Sequence, residues 1–201
     1  MAVPSLAVPS LAELTERIRP VALAPARTLA LAPEVAHLGP IRRGTVVEVF
    51  GPGLVLRLLA GPTNEGAWAA LVGAVELNLA AAAEHGVALA RVAVVAGPPA
   101  DLVGTVVASL VDALEVVVLG PQVVAALRAP VARRLTARAR ERGSVVMAMG
   151  VWPEPAERRL VVTEMAWEGL GQGWGSLQRA SMVVQATGRG SASRPGSYRL
   201  A

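Results

Sequence analysis

The sequence predicts an α/β fold: an open, mostly parallel central sheet flanked by helices, extended on its C-terminal side by an antiparallel hairpin. Three observations carry this prediction. The runs VVEVF, RVAVVA, EVVVL and SVVMAM are short, continuous and rich in β-branched residues, as parallel strands covered on both faces are. Segments with helical character separate them, and strand–helix alternation is what builds a parallel sheet. After Gly150 the pattern changes to two longer strands joined by a Gly-rich link, which reads as a hairpin.

The elements follow in order. Residues 1–43 form an N-terminal arm, a short helix and a Pro-rich linker. In the helix, Ser10 and Glu13 make a capping-box pattern and Leu11, Leu14 and Ile18 form one apolar stripe, suited to docking on this domain or on a neighbour. The core, residues 44–187, opens with strand Thr45–Phe50, the turn Gly51-Pro52-Gly53 and helix Leu54–Ala60. Strand Trp68–Val72 and helix Leu77–His85 come next, then strand Arg91–Ala96 and helix Asp101–Leu114. Strand Glu115–Leu119, helix Val131–Arg142 ending at Gly143, and strand Ser144–Met149 complete the parallel part. Arg159–Trp167 and Ser181–Thr187 are the hairpin strands, and residues 188–201 read as a flexible Gly/Ser-rich tail.

Composition narrows the chemistry. A chain of 201 residues with 53% hydrophobic and 3% aromatic content suits one domain with an interior of small residues. There is no cysteine, which excludes a disulfide framework and thiolate metal sites. The two histidines, His37 and His85, are too few for a metal cluster without carboxylates nearby and read as surface or turn residues. All 19 basic residues are arginine, so neither a P-loop lysine nor a Schiff-base lysine exists. The N-terminus lacks the basic region of a signal peptide, and no apolar run is long enough to span a bilayer, so a cytoplasmic protein is expected.

A strand feeding a Gly-rich turn and a helix is how phosphate-cradling loops are built. Read from Gly51, however, the pattern G-x-x-x-x-G-K-[ST] places Leu56 at the second Gly, Arg57 at Lys and Leu58 at the hydroxyl that would hold Mg²⁺. The loop at Gly51, Pro52, Gly53 and Arg57 is therefore degenerate, and no cofactor or metal is expected there.

The element order resembles the RecA core over residues 40–187. The resemblance rests on Gly44-Thr-Val-Val-Glu-Val-Phe-Gly51, Leu77-Asn-Leu-Ala-Ala-Ala-Ala-Glu-His-Gly-Val87 and Leu114-Glu-Val-Val-Val-Leu119. It implies that the catalytic glutamate's position falls on Ala74 and the Walker B aspartate's on Leu119-Gly120. Phosphoryl transfer needs the loop, its lysine and a held Mg²⁺, so the resemblance implies a RecA fold that is not an enzyme. Val47-Glu-Val-Phe-Gly-Pro-Gly53, Gly61–Gly73 and Trp167-Glu-Gly-Leu-Gly171 resemble the ImuA group, specifically its ImuA-prime type. That resemblance implies an accessory factor of the damage-induced mutasome. Its partners would be an ImuB-like inactive Y-family polymerase, RecA and an error-prone replicative-type DNA polymerase. A SulA-type division inhibitor and a residual nucleotide-binding ATPase are the alternatives.

Candidate contact residues lie on the surface. Arg134, Arg138 and Arg142 form a stripe on helix Val131–Arg142, with Arg133 and Arg140 flanking. The stripe suits phosphates or a partner, or is a solvated face. Trp152 and Trp174 sit in Pro- or Gly-rich loops as partner hot spots or as local packing. Arg189, Arg194 and Arg199 add cations to the tail. Asp112 and Glu115 precede the fourth strand, at the wrong end for a metal site, and read as helix-end and loop charges.

Overall fold

The computed structural model of the chain describes residues 28–170, 175–188 and 196–200. The expected helix over residues 10–19, together with Trp174, Arg189 and Arg194, lies outside them. In order, the elements are α1 (Pro33–Ala36), β1 (Val46–Phe50), α2 (Pro52–Asn64), β2 (Ala69–Val72), α3 (Leu79–Glu84) and β3 (Val92–Val95). They continue with α4 (Val103–Ala113), β4 (Val116–Leu119), α5 (Pro121–Ala126), α6 (Ala129–Arg142) and β5 (Val145–Ala148). The last three are β6 (Arg158–Leu170), β7 (Gly175–Gly188) and β8 (Gly196–Leu200).

The eight strands form one sheet in the order β3-β2-β4-β5-β1-β6-β7-β8. Strands β1 to β6 are mutually parallel; β7 runs antiparallel to both of its neighbours. The predicted α/β class with its antiparallel extension is the observed one. All residues of β2, β4 and β5 are buried, as continuous apolar runs under two helical layers must be. One layer, with α2 and α3, packs on Val47, Val49, Leu71 and Val118. The other, with α4, α5 and α6, packs on Val46, Val72, Val117 and Val146.

Three expectations change. Residues 28–43, read as linker, belong to the core: Thr28 bridges Arg42, and Leu29, Val35, Leu38 and Ile41 are buried. Helix α2 continues past Ala60 through Gly61-Pro62, residues that punctuate a sequence as a break. Gly61 is where α2 meets the segment 30–32 backbone to backbone, since a Cβ there would lie 2.5 Å from the Ala32 nitrogen and 2.7 Å from the Leu31 carbonyl carbon. The Thr63 hydroxyl donates to the Leu59 carbonyl at 2.7 Å, and Asn64 Nδ2 donates to the Ala60 carbonyl at 2.8 Å. These side-chain bonds add to the backbone cap, in which the Glu65 N–H donates to the Gly61 carbonyl at 3.1 Å. Finally, Gly196–Leu200, read as part of a flexible tail, forms β8, with Leu200 buried and Arg199 exposed. Helix α5 is one the sequence reading passed over, although Pro121 at its first turn is a start signal.

Strands β6 and β7 outrun the sheet that supports them. β1 pairs only with Arg158–Val161 of β6, and β8 only with Met182–Ala186 of β7. The rest is a two-stranded ribbon projecting past the carboxyl end of β1. Its register shifts between Val162 and Glu164, leaving Thr163 as a bulge, and Met165 and Trp167 beyond it are 48% and 54% exposed.

Candidate functional site

In open parallel sheets ligands bind beyond the carboxyl ends of the strands, where the crossovers change face. Here that change falls between the adjacent strands β2 and β4, since α3 follows β2 on one face and α5 follows β4 on the other. The crevice is filled by backbone. Gly73, after β2, has φ +55°, and a Cβ on it would meet Val123 Cγ2 at 2.6 Å. Gly120, after β4, donates its N–H to the Val72 carbonyl at 2.9 Å. A Cβ on Gly120 would overlap the Gly73 carbonyl oxygen and lie 2.9 Å from Ala74 Cα. Leu119 itself is fully buried.

The degenerate loop is closed as well. Gly51, at φ +142°, is the N-cap residue of α2, and its carbonyl accepts from the Leu54 and Val55 N–H groups at 3.1 and 3.2 Å. Val162 of β6 covers Gly51 so closely that a Cβ there would lie 2.5 Å from Val162 Cγ2, and Met182 Cε lies 3.7 Å from the Cβ position of Gly53. Arg57, in the lysine register, is buried within the fold and donates to Glu34 Oε2 at 3.2 Å. Burial, and secondarily the Arg57 charge, pushes the His85 imidazole below its usual value. Among the described residues no group of His, Asp and Glu is arranged to hold a metal ion. Isothermal titration with ATP and Mg²⁺ is therefore expected to give no heat at micromolar nucleotide.

The buried charges the sequence reading did not single out are structural. Glu48, inside the apolar run of β1, accepts from the Trp152 N–H at 2.8 Å and pairs with Arg159, whose guanidinium lies 5.7 Å from the Phe50 ring centroid. A carboxylate in a β-branched run has to find donors inside the fold, and that rule was the available signal. Glu115, which the sequence marks as a loop charge, is also buried, just before β4, and accepts from the Trp68 N–H at 2.9 Å. Trp152 is 3% exposed and donates its indole N–H to Thr136 Oγ1 at 3.1 Å, so the partner hot-spot reading of Trp152 is corrected to local packing.

The arginine stripe divides. Arg138 and Arg142 both bond the Asp112 carboxylate at the end of α4, Arg142 Nε at 3.1 Å, and Arg133 Nη2 meets Glu154 Oε1 at 3.0 Å. Their charge is largely neutralised inside the chain. Arg128 and Arg134 are exposed on a groove of about 810 Å³ between α4 and α6. Its floor is Gly104, Ala108, Val131 and Leu135, and Thr105 and Ser109 line the α4 side. The α4–α6 approach is close, with Val131 Cγ1 at 2.9 Å from the Cβ position of Gly104. The fully buried stripe of α6 is Ala132, Leu135 and Ala139, which turns Val131 toward α4 rather than the sheet.

Asp112 gives a pH test. Hydrogen bonds from Arg138 and Arg142 hold its carboxyl below the ordinary value of 3.8. A depressed carboxylate contributes stability that is complete above the unfolded value and lost as pH falls through the folded one. Asp112→Asn is therefore expected to unfold more easily than wild type at pH 7, by less than about 1 kcal/mol for so exposed a pair. The difference should shrink as pH falls below the ordinary carboxylate value and through the lower folded one, and chemical denaturation at pH 7 and in acid measures it.

The fold and this site define a class: an α/β sheet domain whose carboxyl-end ligand position is sealed by glycine backbone and apolar side chains. Residues 34–154 match the family model of the MT3502 N-terminal domain. The chain is also 34% identical over 158 residues to the uncharacterized protein Rv3395c of Mycobacterium tuberculosis, an alignment spanning 72% of this chain and 70% of that protein. The chain belongs to the MT3502 N-terminal domain family. No helix among the described residues is long and apolar enough to cross a membrane.

Proposed function

We propose that the chain is a non-enzymatic accessory protein with a RecA-type fold that serves damage-induced translesion synthesis in the cytoplasm. It acts by protein–protein contact with an ImuB-like, inactive Y-family polymerase. Through that contact it joins an error-prone replicative-type DNA polymerase and RecA at damaged DNA, touching the DNA itself weakly or indirectly.

The observation that carries this reading is the concerted loss at the carboxyl edge. Loop, base and metal positions are occupied together: Val162 and Met182 cover Gly51-Pro52-Gly53, Arg57 is engaged by Glu34, and Gly73 meets Gly120 beside Leu119. A site spoiled by one change would keep some of its equipment; this one keeps none. Surface features support a binding role. Trp167 lies in the Trp-Glu-Gly-Leu-Gly motif that resembles the ImuA-prime type, and it is half exposed on a ribbon projecting from the sheet. A large aromatic left in water in this way is typical of protein contacts.

The test is affinity capture with the tagged full chain from DNA-damaged cells. Recovery of an ImuB-like protein is expected, and Trp167→Ala should reduce it at least tenfold while leaving thermal unfolding unchanged. Recovery of FtsZ without any polymerase partner would assign the chain to the SulA type. Nucleotide turnover would return it to the ATPases.

A further inference from the structure

We propose that the groove between α4 and α6 is the docking site for an acidic, amphipathic helix of the protein partner, an inference that rests on the accessory reading above. The groove has the form for it: half-buried Ala108 and Val131 lie between two helices, in a groove of about 810 Å³ that can receive a row of side chains. Ala108 supplies almost no side chain on the α4 side, while Val131 takes the space beside Gly104.

Charge decides which helix fits. Arg133, Arg138 and Arg142 are engaged by Glu154 and Asp112, but Arg128 and Arg134 make no ion pair among the described residues. The one further carboxylate on the lining is Asp101, so the rim retains a net positive charge. Arg128 caps α6 and Arg134 lies six positions further, a rise of about 9 Å at 1.5 Å per residue. Two carboxylates about two turns apart (i, i+7) on one face of a partner helix would meet both guanidinia in planar, bidentate pairs. The apolar face between them would cover Ala108 and Val131, the helix-in-groove mode.

Nucleic acid fits the same surface poorly. Tracking a backbone takes a series of free cations, each adding to the salt dependence, and Asp112 and Glu154 hold three of the stripe's arginines. No aromatic side chain lines the groove to stack a base.

The experiment uses the tagged full chain co-expressed with the ImuB-like polymerase. Two variants attack the groove differently: Arg134→Glu reverses its charge, and Ser109→Trp fills it without altering charge. Both positions are exposed, and thermal unfolding verifies the fold of each variant. Co-purification of the partner should fall tenfold or more in both. A photoreactive benzoylphenylalanine at position 109 should crosslink to a partner segment with acidic residues and helical apolar spacing. Wild-type capture that survives both variants overturns the groove inference and leaves the accessory reading standing. If wild type captures no ImuB-like protein, both fall. A crosslink to residues 10–19 of the chain itself would make its own amphipathic segment the occupant and overturn the proposal. So would single-stranded oligonucleotide binding, followed by anisotropy at low salt, that is lost in Arg134→Glu while partner capture persists.

Discussion

Arg158→Ala is expected to lower stability by about 3 kcal/mol or more, among the largest effects of any side chain outside the aliphatic core. Arg158 is 1% exposed on β6 and donates to the carbonyls of Leu38, Gly39 and Pro40, with the Gly39 and Pro40 bonds at 3.0 and 3.3 Å. Those carbonyls belong to a turn that strand pairing leaves unsatisfied, and each buried acceptor left without a donor costs about 1–3 kcal/mol. Desolvation lowers the guanidinium's pKa, yet arginine keeps its charge at any pH at which the protein folds. Truncation removes the charge and abandons its acceptors at once. The residues 28–43 should therefore loosen from the core, and Leu38 and Ile41, both 1% exposed, should become reachable by solvent. Urea unfolding at pH 7 measures the loss, and hydrogen exchange of the Leu38 and Ile41 amides locates it. A change below about 1 kcal/mol would mean that water replaces the guanidinium and that the segment is held by its apolar residues alone.

Gly120→Ala is expected to cost about 3 kcal/mol or to prevent folding, because its Cβ has to displace the Gly73 peptide. Backbone cannot turn aside as a flexible side chain can: Gly73 is fixed by its N–H bond to the Val95 carbonyl at 2.9 Å, and Val123 stands behind it. Gly97→Ala is the control. Its Cβ would lie 3.8 Å from Gly73 Cα, ordinary contact, and it should cost less than about 1 kcal/mol. Thermal unfolding of the two variants compares them directly. Equal stability would show that the carboxyl edge has room, which would reopen it as a ligand crevice.

Much of the fold was legible because burial writes itself into composition. The runs at Val46–Phe50, Val116–Leu119 and Val145–Ala148 are buried strands within a residue or two of expectation; Val92–Val95 is a strand too, but at the sheet edge it is not covered on both faces as expected, and Val94 is exposed. Gly61-Pro62 misled because local propensity marks a break, whereas the tertiary contact with residues 30–32 makes a glycine there necessary. Gly196–Leu200 misled because Gly and Ser promise freedom, while a partner strand as long as β7 offers an edge to pair with. The stripe on α6 was legible as a stripe; its neutralisation was not. Asp112 lies 26 residues before Arg138, and nothing local to either residue announces the pair.

By itself the sequence determined the α/β class, the positions of the buried strands and the absence of a P-loop lysine. Those follow from residue type alone: β-branched runs bury, and a chain without lysine cannot present one. Tertiary structure decided where function is left to reside. Only packing distinguishes Trp152, sealed against Thr136 and Glu48, from Trp167, left half in water. Only packing spends Arg138 and Arg142 on Asp112 while leaving Arg128 and Arg134 facing a groove. The physical reason is the same in each case: a side chain's chemistry is local, but whether it is available depends on which distant residue the fold brings beside it.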